Sequence, residues 1–169
     1  AIEALFADCG RMMQSLQALP QPVIARVHGV AAAAGCQLVA QCDLAVASEA
    51  ARFSTPGVTW GFFCSTPGVA VGRNLARKHA LEMLLTGEPI DARRALEWGL
   101  VNRVVPAEAL DREVTALAHT LLAKPRESLR AGKRAFYEQI EMASGPAYAR
   151  AGAVIAQSFA HEEGRAGMA

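Results

Sequence analysis

The stretch GVAAAAGCQLVAQCDL, from Gly29 to Leu44, follows the mostly apolar run PVIARVH and carries no charge before Asp43. Its small residues read as a tight turn, and Ala33 to Gln41 as a helix that opens directly after it. A strand ending in such a turn offers backbone N–H groups at the positive end of a helix dipole. Those donors suit an anion, either a phosphate or the oxyanion that develops on a carbonyl. Phosphate fits less well. GVAAAAG matches neither G-x-G-x-x-G nor G-x-x-x-x-G-K-[ST], and no Lys or Ser follows to hold a phosphate or a metal. The competing reading is structural, because small residues also let a helix pack tightly on a sheet. Spacing alone leaves both open.

Few other side chains offer acid–base or nucleophilic chemistry. Glu49 and Glu88 read as solvated loop residues, and His28 as a core or hydrogen-bonding histidine. His79, His119 and His161 fall in helical contexts and read as surface. Cys64 lies in a loop with Ser65 and Thr66, without a His or Lys placed to lower its pKa. Cys9, Cys36, Cys42 and Cys64 form no C-x-x-C and have no His at ligand spacing, so they read as reduced, mostly buried thiols and not as a metal site. Trp60, Phe62 and Phe63 would line a pocket or the core.

The elements that must position these residues follow from periodicity. Ile2, Leu5, Phe6, Cys9, Met12, Met13 and Leu16 form one stripe of a helix that ends before LPQP. VIARV (23–27), DLAVAS (43–48) and ARFSTP (51–56) read as short strands. A helix begins near Pro67 and Gly68 and runs through Leu85, with a break near Lys78. A short helix from Asp91 to Trp98, a Gly99 stop and a strand over Val101–Val105 complete an α/β core over residues 1–106. Three helical stripes fill 107–169, carried by Leu110 to Leu121, Leu129 to Ile140 and Tyr148 to Phe159. These stripes require a partner, either the core or another subunit. The chain opens on Ala1 and goes straight into a helix with nothing before it, as a portion of a longer chain would.

Composition limits the function classes. Seventeen basic and sixteen acidic residues leave no electrostatic footprint for nucleic acid or an anionic membrane. No apolar run reaches the roughly 20 residues of a membrane-spanning helix, and no secretion signal is visible. The expected location is cytoplasmic.

Taken together, HGVAAAAGCQLVAQCDLAVASEAARFSTPGV resembles the signature stretch of the crotonase (enoyl-CoA hydratase/isomerase) superfamily. There a strand leads into a Gly-x-Ala-x-Gly-Gly-Gly turn and a helix, then CD-apolar-x-apolar-A and an F-x-x-P-E loop. ALEMLLTGEPIDARRALEWGLVNRVVP is similar to a second family block ending in G-L-V-x-x-V-V-P. FCSTPGVAVGR, longer than the usual G-x-x-P-G turn, resembles the enoyl-CoA hydratase domain-containing protein 3 subgroup. The resemblance implies a crotonase-like spiral of ββα turns, lacking its N-terminal part, with a C-terminal helical region that packs between subunits. It implies a homotrimer or a dimer of trimers that binds an acyl-CoA thioester, with no further cofactor.

In that family two N–H groups hold the thioester carbonyl. Ala34 N–H matches one, and the family places the other upstream of Ala1. Ala31, Ala33, Gly35, Trp60, Pro67 and Gly68 would surround the thioester. The two hydratase glutamates are matched by Gln37 and Gly57, and neither can serve as a general base. Family isomerases commonly keep the acid that matches Gly57, which weakens that activity as well. Asp43 matches a family residue of structural character. The two functional readings are an acyl-CoA-processing enzyme that relies on its oxyanion hole, and a non-catalytic acyl-CoA-binding or assembly protein.

Overall fold

The computed structural model describes residues 1–160; His161 lies outside the described residues. An opening helix α1 (Ile2–Ala18) precedes six strands: β1 (Ile24–Val27), β2 (Val30–Ala32), β3 (Leu44–Ser48), β4 (Arg52–Ser54), β5 (Ile90–Asp91) and β6 (Arg103–Val105). Between and after them come α2 (Ala34–Gln41), α3 (Ser65–Asn74), α4 (Arg77–Thr86), α5 (Ala92–Trp98), α6 (Leu110–Leu122), α7 (Arg126–Gln139) and α8 (Ser144–Ala160).

The strands form two sheets of three. One is parallel throughout in the order β1-β3-β6; the other runs β2-β4-β5, with β2 and β4 parallel and β5 antiparallel. Two successive passes, β1 to β2 and β3 to β4, each lay one strand in the first sheet, turn a corner, lay one in the second and leave through a helical segment. β5 instead joins the second sheet before α5, and β6 the first after it. The corners are tied together: Ser48 Oγ donates to His28 O at 3.1 Å, and Arg52 N donates to Gly29 O at 3.2 Å. β3 explains the architecture best, being Val/Ala-rich and buried over four of its five residues, as a central parallel strand should be. Its side chains alternate. Ala45 and Ala47 join the main core with Cys36, Phe53, Val71 and Met83, while Val46 packs on Leu110 and Leu117 of α6 behind the sheet.

The periodicity located α1, β1, β3, β4 and α5 to within a few residues, and Gly99 does end α5, with φ 86°. Three differences are informative. Val30–Ala32, which reads as turn, is the strand β2, because Ala32 pairs with Ser54 across the second sheet. The long helix starts at Ser65, and its break, expected near Lys78, falls two residues earlier at Leu75–Ala76; both linking residues are extended and Leu75 is buried. Gly68 faces α4, where a Cβ would meet Leu84 Cδ1 at 3.4 Å, so the two helices approach closely. Finally, β6 starts at Arg103, with Leu100 and Val101 buried as linker.

One buried polar cluster holds the helical part to the core. Lys133 of α7 donates to Asp43 Oδ2 at 2.7 Å, and to the carbonyl oxygens of Leu16 and Gln21 at 2.9 Å each. Asp43 also accepts from Tyr137 Oη at 2.8 Å and from Val23 N at 2.6 Å. Lys133 and Asp43 side chains are only 7% and 14% exposed. Burial and the neighbouring Asp43 carboxylate push the Tyr137 hydroxyl well above the usual phenol range, so it remains a donor. A buried cation stripped of its partner costs about 3–5 kcal/mol. Asp43→Ala should therefore lose about 3 kcal/mol in urea unfolding. Asp43→Ala combined with Lys133→Met should recover part of that loss.

Candidate functional site

β2 and β4 run in parallel with Ala32 opposite Ser54, so the segments that follow them leave the sheet side by side. One is Ala33–Gln37; the other is a 3-10 turn over Pro56–Trp60, anchored by buried Thr55, whose Oγ1 donates to Met83 O at 2.8 Å. Sequence spacing contains no trace of this adjacency.

Ala33 is the turning point. Its N–H donates to Ser54 O at 2.9 Å, and its backbone sits at φ 49°, ψ −114°, the one positive φ outside glycine among the described residues. The first backbone bond of α2 is Gln37 N to Ala33 O at 3.0 Å. Ala34, Gly35 and Cys36 therefore carry the N–H groups of the helix's first turn, and no side chain caps them. Ala34 is exposed, Ala33 and Gly35 are half-buried, and Ala31 is buried within β2. An anionic oxygen at this helix end would meet aligned donors and a favourable dipole.

Gln37 lies one turn further along and is 4% exposed, yet its Oε1 is buried without a hydrogen-bond partner. Position 57 is filled. A Cβ on Gly57 would stand 2.7 Å from Phe62 O and 2.8 Å from Cys64 Sγ. The loop folds back on it: Phe62 N donates to Gly57 O at 3.2 Å, and Gly57 N donates to Cys64 Sγ at 3.2 Å. Cys64 is thus buried and engaged, in line with its reading as an unactivated thiol. Burial first, and then the nearby Cys64, push the Cys36 thiol up to about 12, against a lowering hydrogen bond from the Ser54 backbone. Neither thiol is set up as a nucleophile.

Around this end lie the apolar candidates. Trp60 is 65% exposed, with Phe62 and Phe63 also exposed, so none of the three belongs to the core; the Trp60 and Phe62 rings are 6.1 Å apart. Pro67 is buried and Gly68 half-buried in the first turn of α3. Glu49, Glu88 and His119 are exposed, and Asp43 is taken up by the Lys133 cluster. Two histidines differ from expectation. His28 is exposed and not core, because it turns outward at the corner between β1 and β2. His79 is half-buried, stacked on Trp98 at 4.4 Å, and Arg94 lies 5.4 Å from the same ring. Only the tertiary approach of α4 and α5 makes that stack. Among the described residues no group of three or more His, Cys, Asp or Glu could hold a metal. None of their helices is long and apolar enough to cross a membrane.

The family model for enoyl-CoA hydratase/isomerase matches residues 7–169. The chain belongs to that family. It is 49% identical over 164 residues to the mitochondrial enoyl-CoA hydratase domain-containing protein 3 of Xenopus laevis, covering 97% of this chain and 56% of the relative. The human protein of the same name is 46% identical, covering 97% of this chain and 54% of the relative. The chain thus spans about half the length of these curated relatives. Among solved structures, an enoyl-CoA hydratase of Mycobacterium smegmatis superposes with TM-score 0.92 at 55% identity, over 94% of this chain and 62% of that one. The structure of the human domain-containing protein 3 gives 0.93 at 46% identity, over 96% and 64%. The fold is therefore crotonase-like, as the two sequence blocks implied. The expected cytoplasmic location is overturned, because the curated relatives of that subgroup are named mitochondrial.

Two substitutions test this geometry. An alanine at positive φ carries strain on the order of 1–3 kcal/mol. Ala33→Gly should raise stability by about 1 kcal/mol in thermal unfolding, a reversal of glycine's usual entropic cost. Gly57→Glu should lose about 2 kcal/mol through overpacking and give a lower melting temperature.

Proposed function

We propose that this protein binds a coenzyme A thioester and polarises its carbonyl at Ala34 N–H, without the two-carboxylate water chemistry of a hydratase. The observation that carries the reading is the uncapped first turn of α2, held open by the positive φ of Ala33. Aimed backbone donors stabilise the charge that grows on a thioester oxygen as its enolate forms, and losing one costs roughly 3 kcal/mol of barrier. A second donor comes from outside Ala31–Gly35. Ala31, Ala33 and Gly35 keep the approach to Ala34 narrow, while Trp60, Pro67 and Gly68 wall the acyl chain. The thioester is the sole small molecule required.

What this site lacks is equally specific. Each positioned acid–base group contributes about 10²–10⁴-fold. Gln37 does not titrate, and Gly57 has no side chain and no room for one. The site accordingly supplies carbonyl polarisation and is poor in water addition; enolate chemistry of the hydratase/isomerase type would need a base other than Gln37 and Gly57 to take the proton. A second reading, a non-catalytic acyl-CoA-binding or assembly protein, is favoured by the packed space at Gly57. In either case the protein acts as a homotrimer or a dimer of trimers. The unburied faces of α7 and α8 support this, with Phe136, Ile140, Ile155 and Phe159 exposed and Tyr148 79% exposed.

Incubation with crotonyl-CoA in deuterated water, followed by mass spectrometry and infrared spectroscopy of the carbonyl, tests the proposal. The expected result is a carbonyl band moved to lower frequency and no added water. Rapid hydration, or deuterium exchange at the α and γ carbons, would expose an acid that these residues do not supply. A bound ester with an unshifted carbonyl would refute the role of Ala34.

A further inference from the structure

Asp43 closes the base of the segment that carries the open turn. Its Oδ2 accepts from Val23 N at 2.6 Å, and Leu44 N donates back to Val23 O at 3.1 Å. Residues 23–43 are thus pinned together where they begin and end. At the far side of this loop Ala33 N donates to Ser54 O at 2.9 Å, and the Ala33 backbone is held at φ 49°. α2 is the rod between the two anchors, eight residues and so about 12 Å long. Close-packed interiors transmit strain, so a shift at the base of so short a helix reaches the turn at its other end.

The base is fixed from outside the loop. Lys133 of α7 spends its three N–H donors on Asp43 Oδ2 at 2.7 Å and on the carbonyl oxygens of Leu16 and Gln21 at 2.9 Å each. Asp43 Oδ1 is taken by Tyr137 Oη at 2.8 Å. The ammonium therefore has no donor left for a ligand, and what it does is hold. We propose that Lys133 is a positioning residue: by clamping Asp43 it sets where α2 lies, and with it the direction in which Ala34 N–H points at a thioester carbonyl. Misplacing a reacting group by about 1 Å can cost on the order of 10²-fold in rate, so such a clamp matters to the site although it touches no ligand. The inference rests on the thioester reading above and adds the residue that aims its donor.

The test compares the full wild-type protein with two variants. Asp43→Ala combined with Lys133→Met removes the clamp without leaving a lone buried charge. Leu117→Ala loosens the packing of α6 behind the first sheet and leaves the clamp alone. Each is measured for melting temperature, for crotonyl-CoA affinity by calorimetry, and for the infrared carbonyl band of the bound ester. The double variant should bind about tenfold more weakly, the equivalent of one good hydrogen bond, and its bound ester should show a much smaller band displacement than in the wild type. Leu117→Ala should lower the melting temperature and keep the wild-type band. A double variant with the full band displacement overturns the proposal. So does a Leu117→Ala band that retreats as far as the double variant's, since general loosening would then be the cause. If the double variant does not fold, Tyr137→Phe decides. It removes one bond to Asp43 and keeps the ion pair, so the band should move part of the way back, and an unchanged band overturns the proposal. A wild type that binds no ester, or binds it without displacing the band, removes the thioester reading and takes this inference with it; the wild-type measurement alone identifies that outcome.

Discussion

The buried pair of Lys133 and Asp43 ties the later helices to the sheets, alongside the apolar packing of Val46 on Leu110 and Leu117. Asp43 sits just past α2, at the entry to β3; Lys133 is on α7, ninety residues later. The ammonium also takes the carbonyl of Leu16 near the end of α1 and that of Gln21 in the following linker. Three segments distant in sequence, residues 16–23, Asp43 and α7, therefore converge on two side chains. A buried ion pair is an inefficient source of net stability, but it is intolerant of misplacement, because each charge left alone is severely penalised. That property suits a joint whose register must be unique. The same joint fixes where α2 ends, and so bears on the helix whose other end carries the open N–H groups.

The two sheets set the rest. Because the chain turns a corner after β1 and again after β3, successive passes stack β2 and β4 in parallel and release their following segments on one side. The α2 turn and the 3-10 turn after Thr55 become neighbours by this repetition. Functional groups in such a design need no sequence proximity, only the same place in successive turns. The loop after Trp60 folds back with Phe62 and Cys64 against Gly57, occupying the volume a side chain would need, while the α2 turn stays open. The open turn of α2 and the packed loop at Gly57 are separate structures, and one can change without the other.

Strain at Ala33 fits the same picture. A residue with a Cβ is held at φ 49° by its bond to Ser54 and by the helix that begins immediately after it. Local strain of this kind persists where surrounding structure over-determines it, commonly at places that bind something. Gln37 adds a second local cost in its unpaired oxygen. Among the described residues His79 Nδ1 is the other buried side-chain atom without a partner, whereas Ser48 and Thr55 have theirs.

Much was legible in the sequence because it depends on local chemistry. The alternating Val and Ala of β3, the small residues before α2, the Gly99 stop and the absence of an acid at positions 37 and 57 are properties of neighbours in the chain. Two spaced blocks of residues carried the family, and with it the fold. Location was not legible in composition, and the cytoplasmic expectation fell because the relatives of that subgroup are named mitochondrial. Tertiary structure decided what depends on distance in space. Val30–Ala32 became a strand because Ser54 lies beside Ala32, His79 left the surface to stack on Trp98, and Asp43 found Lys133. The emptiness of position 57 was visible as a glycine, but only packing made it permanent, since Phe62 and Cys64 now fill the space. Periodicity reports which face of an element is buried, whereas partners across ninety residues are chosen by the fold.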